Sequence, residues 1–209
     1  MIRDQEASAF STILADFVRR VPGAFAAALI DGIGECVDYA IAEQRSGQYV
    51  VEPFDVKVAG AHWGIAVAEI ALQQAVGTLD TIICRGQARS FIVRALPEGY
   101  VIVVMLKKRA GFVSFVRALD ACERAMAQEA SWKLPRGRGI WIAVDVETDE
   151  RARPVWLSMG ALSCSLEVLG ALTKLHRRER GWRVRLPSGG ELNLVREVGN
   201  RWYADENIG

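Results

Sequence analysis

A chain of 209 residues with 51% apolar residues can fill a sizeable core, in one domain or a domain plus an appendage. Its formal net charge of +1 at pH 7 excludes broad coating of nucleic acid, which needs a strong positive field, and excludes an acidic disordered chain. The four cysteines, Cys36, Cys84, Cys122 and Cys164, are scattered without a CxxC pair. With only two histidines they argue against a structural metal site and read as reduced core thiols, so no cofactor or metal is expected.

Phe10, Ile13, Leu14, Phe17, Val18 and Val21 recur at helical spacing, and Pro22-Gly23 ends that helix. Ala24 to Ile30 is a continuous apolar run. Asp31-Gly32-Ile33-Gly34 turns it into a second strand from Cys36 to Ala42. Gly47 to Val51 reads as a loop. Phe54 to Val76 reads as a long helix whose apolar residues surround most of the cylinder, which implies burial on most sides. Leu79 to Cys84, Ser90 to Leu96 and Tyr100 to Leu106 follow as three strands joined by Arg85-Gly86 and Pro97-Glu98-Gly99. Phe112, Phe115, Val116, Leu119 and Met126 then restore helical spacing up to about Trp132. Short turns between consecutive strands imply antiparallel pairing.

The order helix, strand, strand, helix, three strands, helix, with Asp31-Gly32 between the first two strands, resembles the Roadblock (dynein light-chain type) domain over roughly residues 5 to 132. The resemblance implies an α+β fold with a five-stranded antiparallel sheet flanked by helices, of the Roadblock/longin kind. It implies a homodimeric, non-enzymatic platform that binds and regulates or scaffolds a Ras-like small GTPase, or pairs with another Roadblock or longin-type protein. In such domains the central helix pairs with its copy across a two-fold axis and the following strand extends the sheet. The spacing of Trp63, Ala66, Val67, Ile70 and Gln73 marks one helix face. Together with Ile82 and Ile83 on the edge strand, these residues are the expected dimer interface. Small residues in this helix (Ala59, Gly60, Ala61, Gly64, Ala66 and Ala68) are expected to admit the second helix closely.

Leu134 to Gly139 reads as a linker, which places a first domain at 1–133 and a β-rich extension at 134–209. Ile140 to Val146, Ser165 to Leu169, Trp182 to Leu186, Leu192 to Arg196 and Arg201 to Ala204 read as strands of a small antiparallel β module. Thr148 to Pro154 reads as a charged loop. Arginines 177, 178, 180, 183 and 185 lie near Trp182 and Trp202-Tyr203. Interleaving of this kind can bind single-stranded nucleic acid by stacking and phosphate contacts, but intervening glutamates dilute the charge. Nucleic acid is therefore not the expected partner. The alternative to the platform is an adaptor whose C-terminal module binds a protein partner while the first domain only dimerises it.

Catalytic residues are not expected. His62 lies on the apolar central helix and His176 in a charged turn, and no nucleophile motif or phosphate-binding loop is present. Gly32-Ile33-Gly34 lacks the third glycine and precedes a strand, where a phosphate cradle needs a helix N-terminus. The opening residues Met1 to Glu6 carry no hydrophobic leader, and runs such as Val101 to Leu106 are too short to cross a bilayer. A cytoplasmic protein without membrane insertion is expected.

Overall fold

The computed structural model of the chain describes residues 6–42, 51–73, 77–108, 115–173, 175 and 177–205. Most of the loop expected at Gly47 to Val51, the end of the expected central helix at 74–76, Phe112 and His176 lie outside them. Two compact units emerge: Met1–Val113 with Ala125–Leu134, and Ser114–Arg124 with Pro135–Gly209.

In the first unit, helix α1 (Ala9–Arg20) starts at Ser8, whose N–H donates to Ser11 Oγ at 3.0 Å while its own Oγ accepts from Ser11 N–H. Leu14, Phe17 and Val18 bury its apolar stripe. Strands β1 (Ala24–Ile30) and β2 (Cys36–Ile41) form the expected hairpin. Asp31 organises the turn: its Oδ1 accepts from Ile33 N–H at 3.0 Å and Glu35 N–H at 2.8 Å, and Gly34 takes the positive φ of 88° that the reversal needs. Helix α2 (Pro53–Ala71) opens on a proline in its first turn. It is followed by β3 (Thr81–Arg85), β4 (Arg89–Ala95) and β5 (Val101–Lys107).

These strands make one antiparallel sheet in the order β2-β1-β5-β4-β3. Successive residues of β1, from Ala26 to Ile30, are all buried, so both faces of the sheet are covered. Helix α2 covers the face of Ala28, Ile30, Tyr39, Val93 and Val103. Helix α1 takes the other: Ser8 Oγ donates to Asp38, whose side chain points opposite to that of Tyr39. The α+β architecture is the expected one.

Helix α3 (Val116–Ala130) is shared, its residues up to Arg124 clustering with the second unit and those from Ala125 with the first. The second unit is larger than the small module expected. It is a seven-stranded antiparallel sheet, β8-β7-β6-β12-β11-β10-β9, curled so that β7 approaches β9. Its strands are β6 (Trp141–Thr148), β7 (Pro154–Met159), β8 (Leu162–Ser165), β9 (Glu167–Ala171), β10 (Arg180–Arg185), β11 (Glu191–Glu197) and β12 (Arg201–Asp205). The β7–β8 hairpin has no counterpart in the sequence reading, which placed only a charged loop before it. Pro154 is tolerated because it opens β7, where a strand can spare an N–H. Inside the curl, Val144, Leu157, Val184, Leu192, Leu194 and the paired Trp182 and Trp202 (centroids 5.2 Å apart) form a separate core.

The segment expected to be a linker is tied to the start of α3. Asp120 accepts from Gly139 N–H at 2.7 Å and Trp141 N–H at 2.8 Å, Arg124 donates to Gly139 O at 3.0 Å, and Arg138 pairs with the buried Glu123. On the outer face of the same sheet, Arg117 donates to Glu179 at 2.8 Å and to Glu197 at 3.0 Å, and stacks over Trp141. Burial raises the Glu197 carboxyl above its ordinary 4.5, and the hydrogen bond from Arg117 offsets only part of that rise. A carboxyl raised on folding favours the folded state while protonated, so its contribution is lost as pH climbs from 4.5 through the raised value. The unfolding free energy of the wild type, measured relative to Glu197→Gln by urea titration, is therefore expected to fall across that interval. A flat or rising difference would contradict the assignment.

Candidate functional site: the outer face of α2 and the edge of β3

Helix α2 has two apolar faces. The inner one carries Val56, Gly60, Gly64 and Val67, all buried, with Trp63 against Phe91 at 5.6 Å between ring centroids. The glycines set how near the helix comes to β1. A Cβ on Gly60 would fall 2.3 Å from Ile30 Cδ1 and 3.1 Å from its Cγ1, and one on Gly64 would fall 2.9 Å from Ile30 Cγ2. The small residues thus admit a strand of the same chain, which corrects the expectation that Gly60 and Gly64 make room for a second helix.

The outer face carries Phe54 (72% exposed), Val58 (37%), Ile65 (52%) and Leu72 (81%), with Ala61 and Ala68 between them. Positions 54, 58, 61, 65, 68 and 72 step by four and three residues, which holds them on one line along the helix. Exposed apolar side chains aligned in this way make the outer face a candidate interaction surface. His62 is exposed beside it.

Strand β3 ends the sheet and pairs only with β4, so its other edge presents unpaired backbone groups among the described residues. Ile83 is half exposed. The strand is anchored at its start, where Arg94 donates to Asp80 and to Thr81 Oγ1, each at 2.8 Å.

The residues expected at an interface divide accordingly. Val67 is in the core, and Trp63 and Ile82 pack against it. Ala66 and Ile70 are half-buried. Gln73 is exposed beyond the helix end, and Ile83 is exposed on β3. Phe54, Val58, Ile65 and Leu72, exposed on the outer face, were not among the residues expected at an interface. The signal that distinguishes the two faces is the pair of glycines, since a Gly four residues from a Gly marks the side against which something already packs.

No family model matches this chain, and no curated protein matches it. Solved structures do resemble it. A Roadblock/LC7 domain from Streptomyces avermitilis covers 58% of this chain and 97% of its own, at 11% identity and a TM-score of 0.47. The gliding protein MglB from Thermus thermophilus covers 61% and 94%, at 16% identity and 0.48. Myxococcus xanthus MglB covers 61% and 98%, at 14% identity and 0.47. The first unit is Roadblock-like. Its own element order and strand pairing carry that statement, since likenesses this distant say nothing of chemistry.

Among the described residues no cluster of histidine, cysteine or carboxylate side chains is placed to hold a metal ion, and no helix is long and apolar enough to cross a membrane.

Replacing Gly60 by leucine puts a branched side chain where Ile30 already stands. Despite the gain in helix propensity, Gly60→Leu is expected to lower the unfolding free energy by about 1–3 kcal/mol, read from a denaturant midpoint. An unchanged midpoint would mean that α2 sits further from β1 than described.

Proposed function

We propose that this chain is a homodimeric, non-enzymatic platform in which the outer face of α2 and the edge of β3 meet the same elements of a second copy. The observation that supports it most strongly is the outer stripe of α2. Its positions are symmetric about residue 63, so that antiparallel pairing sets Phe54 opposite Leu72, Val58 opposite Ala68 and Ala61 opposite Ile65. Val58 and Ile65 then each meet an alanine, Phe54 meets Leu72 at both ends of the stripe, and every pair occurs twice, as an isologous interface requires. The β3 edge lends further support, because joining two such edges satisfies backbone groups that otherwise invite uncontrolled association.

In this reading the dimer works in the cytoplasm and offers its surface to a Ras-like small GTPase, the partner class that the Roadblock resemblance implies. A regulator of that kind repositions its partner's catalytic machinery and needs no catalytic constellation of its own. The adaptor reading draws support from the second unit, whose separate core makes it capable of recognition in its own right. Truncation at residue 134 is a poor way to separate the two readings, since it removes Pro135–Gly209 from the unit that includes Ser114–Arg124. Substitutions in the full chain serve better.

Light scattering on wild type and Ile65→Asp tests the dimer. Ile65 is half exposed in the single chain, so the variant is expected to fold. An unpaired charge on each side of the interface is expected to weaken association by about a hundredfold or more, giving a folded monomer where the wild type is a dimer. GTPase capture by the dimer and not by the monomer completes the reading. A wild type that stays monomeric at high concentration contradicts it.

A further inference from the structure

The register of the second sheet sets Arg180 of β10 directly opposite Arg196 of β11. The next pair on the same face is Trp182 opposite Leu194, both buried in the core of the curl. The two arginines therefore stand where the core ends and the curled sheet opens to solvent. With Arg178, they line a cleft of about 220 Å³ closed by Glu197 and the turn Val198-Gly199-Asn200.

Like charges directly opposite in a sheet repel, and a counter-charge nearby relieves the repulsion. Elsewhere on these strands the counter-charge is present. Arg183 pairs with Glu191 at 2.5 Å, and Arg185 with Glu191 at 2.9 Å and Glu167 at 3.1 Å. At the cleft the nearby carboxylates are already engaged. Glu197 is engaged by Arg117 and Arg201, and Glu179 by Arg117. Among the described residues neither Arg178 nor Arg180 has an acidic partner, and Arg196 lies over the Trp202 ring at 5.8 Å.

We propose that this cleft binds a phosphate-class dianion. Arginines at directly opposed positions of a strand pair, both lining one cleft, can supply charge-assisted donors to a tetrahedral oxyanion, and two positive charges match a dianion better than a single carboxylate. Single-stranded nucleic acid fits less well. Trp182, Trp202 and Tyr203 are buried at 9%, 2% and 0% exposure, and so offer no ring faces on which bases stack. The phosphate belongs to a small phosphorylated molecule or to a phosphorylated segment of a partner protein.

The test is a titration of the full-length 15N-labelled chain with inorganic phosphate and with a phosphoserine peptide, at constant ionic strength. Saturable shifts at Gly199 and Asn200 are expected. Affinity should fall about tenfold or more in Arg196→Gln and Arg180→Gln, the loss expected for a charge-assisted hydrogen bond, and stay unchanged in Arg183→Gln. Tighter binding of the peptide assigns the phosphate to a protein partner, and tighter binding of inorganic phosphate to a small molecule; both support the site. As an independent readout, Arg180→Gln without ligand at low salt should unfold at the same or a higher temperature, because a repulsion is removed. Shifts that do not saturate, equal losses in Arg183→Gln, or a response only to a single-stranded oligonucleotide would overturn the proposal.

Discussion

The contact on which the first unit depends is the approach of α2 to β1 through Gly60 and Gly64. Both glycines lie under Ile30, so near that a single added carbon would collide with it. This closeness lets Val56 and Val67 reach the centre of the sheet face and brings Trp63 onto Phe91. It also commits one side of an apolar helix to its own chain. The other side, from Phe54 to Leu72, is left outward with no fewer large side chains than the inner one. A helix apolar all round is stable in water only when both sides are covered. The geometry that builds the domain thus leaves an apolar face outward, and the symmetric spacing of its stripe suits the second copy that we propose.

The second unit solves its charge problem differently on its two faces. Outside the curl, arginines and carboxylates alternate in paired sets around Arg117, Glu197 and Arg201, and around Arg183, Arg185 and Glu191. Inside, the core is apolar up to its open end, where Arg180 and Arg196 face one another. Among the described residues, compensation in one place and unpaired arginines a few residues away form the contrast from which the phosphate site is proposed. The overall charge of +1 conceals it.

Much of the first unit was legible because its signals are local. The Asp31-Gly32 turn, the helical spacing from Phe10 to Val21 and the β-branched run of β5 each indicate their own structure, and short connections impose antiparallel order. The choice of face on α2 was not legible from spacing alone. Trp63, Val67 and Ile70 lie as neatly on one line as Phe54, Val58 and Ile65, and only the position of β1 distinguishes inside from outside. In the tail, β10 to β12 could be read from alternation and turn residues, which is why Trp182, Val184 and Leu186 share the buried face. The β7–β8 hairpin could not. Pro154, Gly160 and a strand rich in serine mimic a loop, and this pair is stabilised by its place beside β6 and not by its own propensity.

What covers the outer face of α2 decides whether the chain works as a dimer. The most direct measurement is an isotope-filtered nuclear Overhauser experiment on a mixture of 13C-labelled and unlabelled chains, which detects only contacts between different molecules. The account predicts intermolecular contacts from the Ile65 methyls to the Ala61 methyl and from Leu72 to the Phe54 ring, and none from the buried Val67. Intermolecular contacts involving other surfaces, or Ile65 methyls that meet only their own chain, would contradict it.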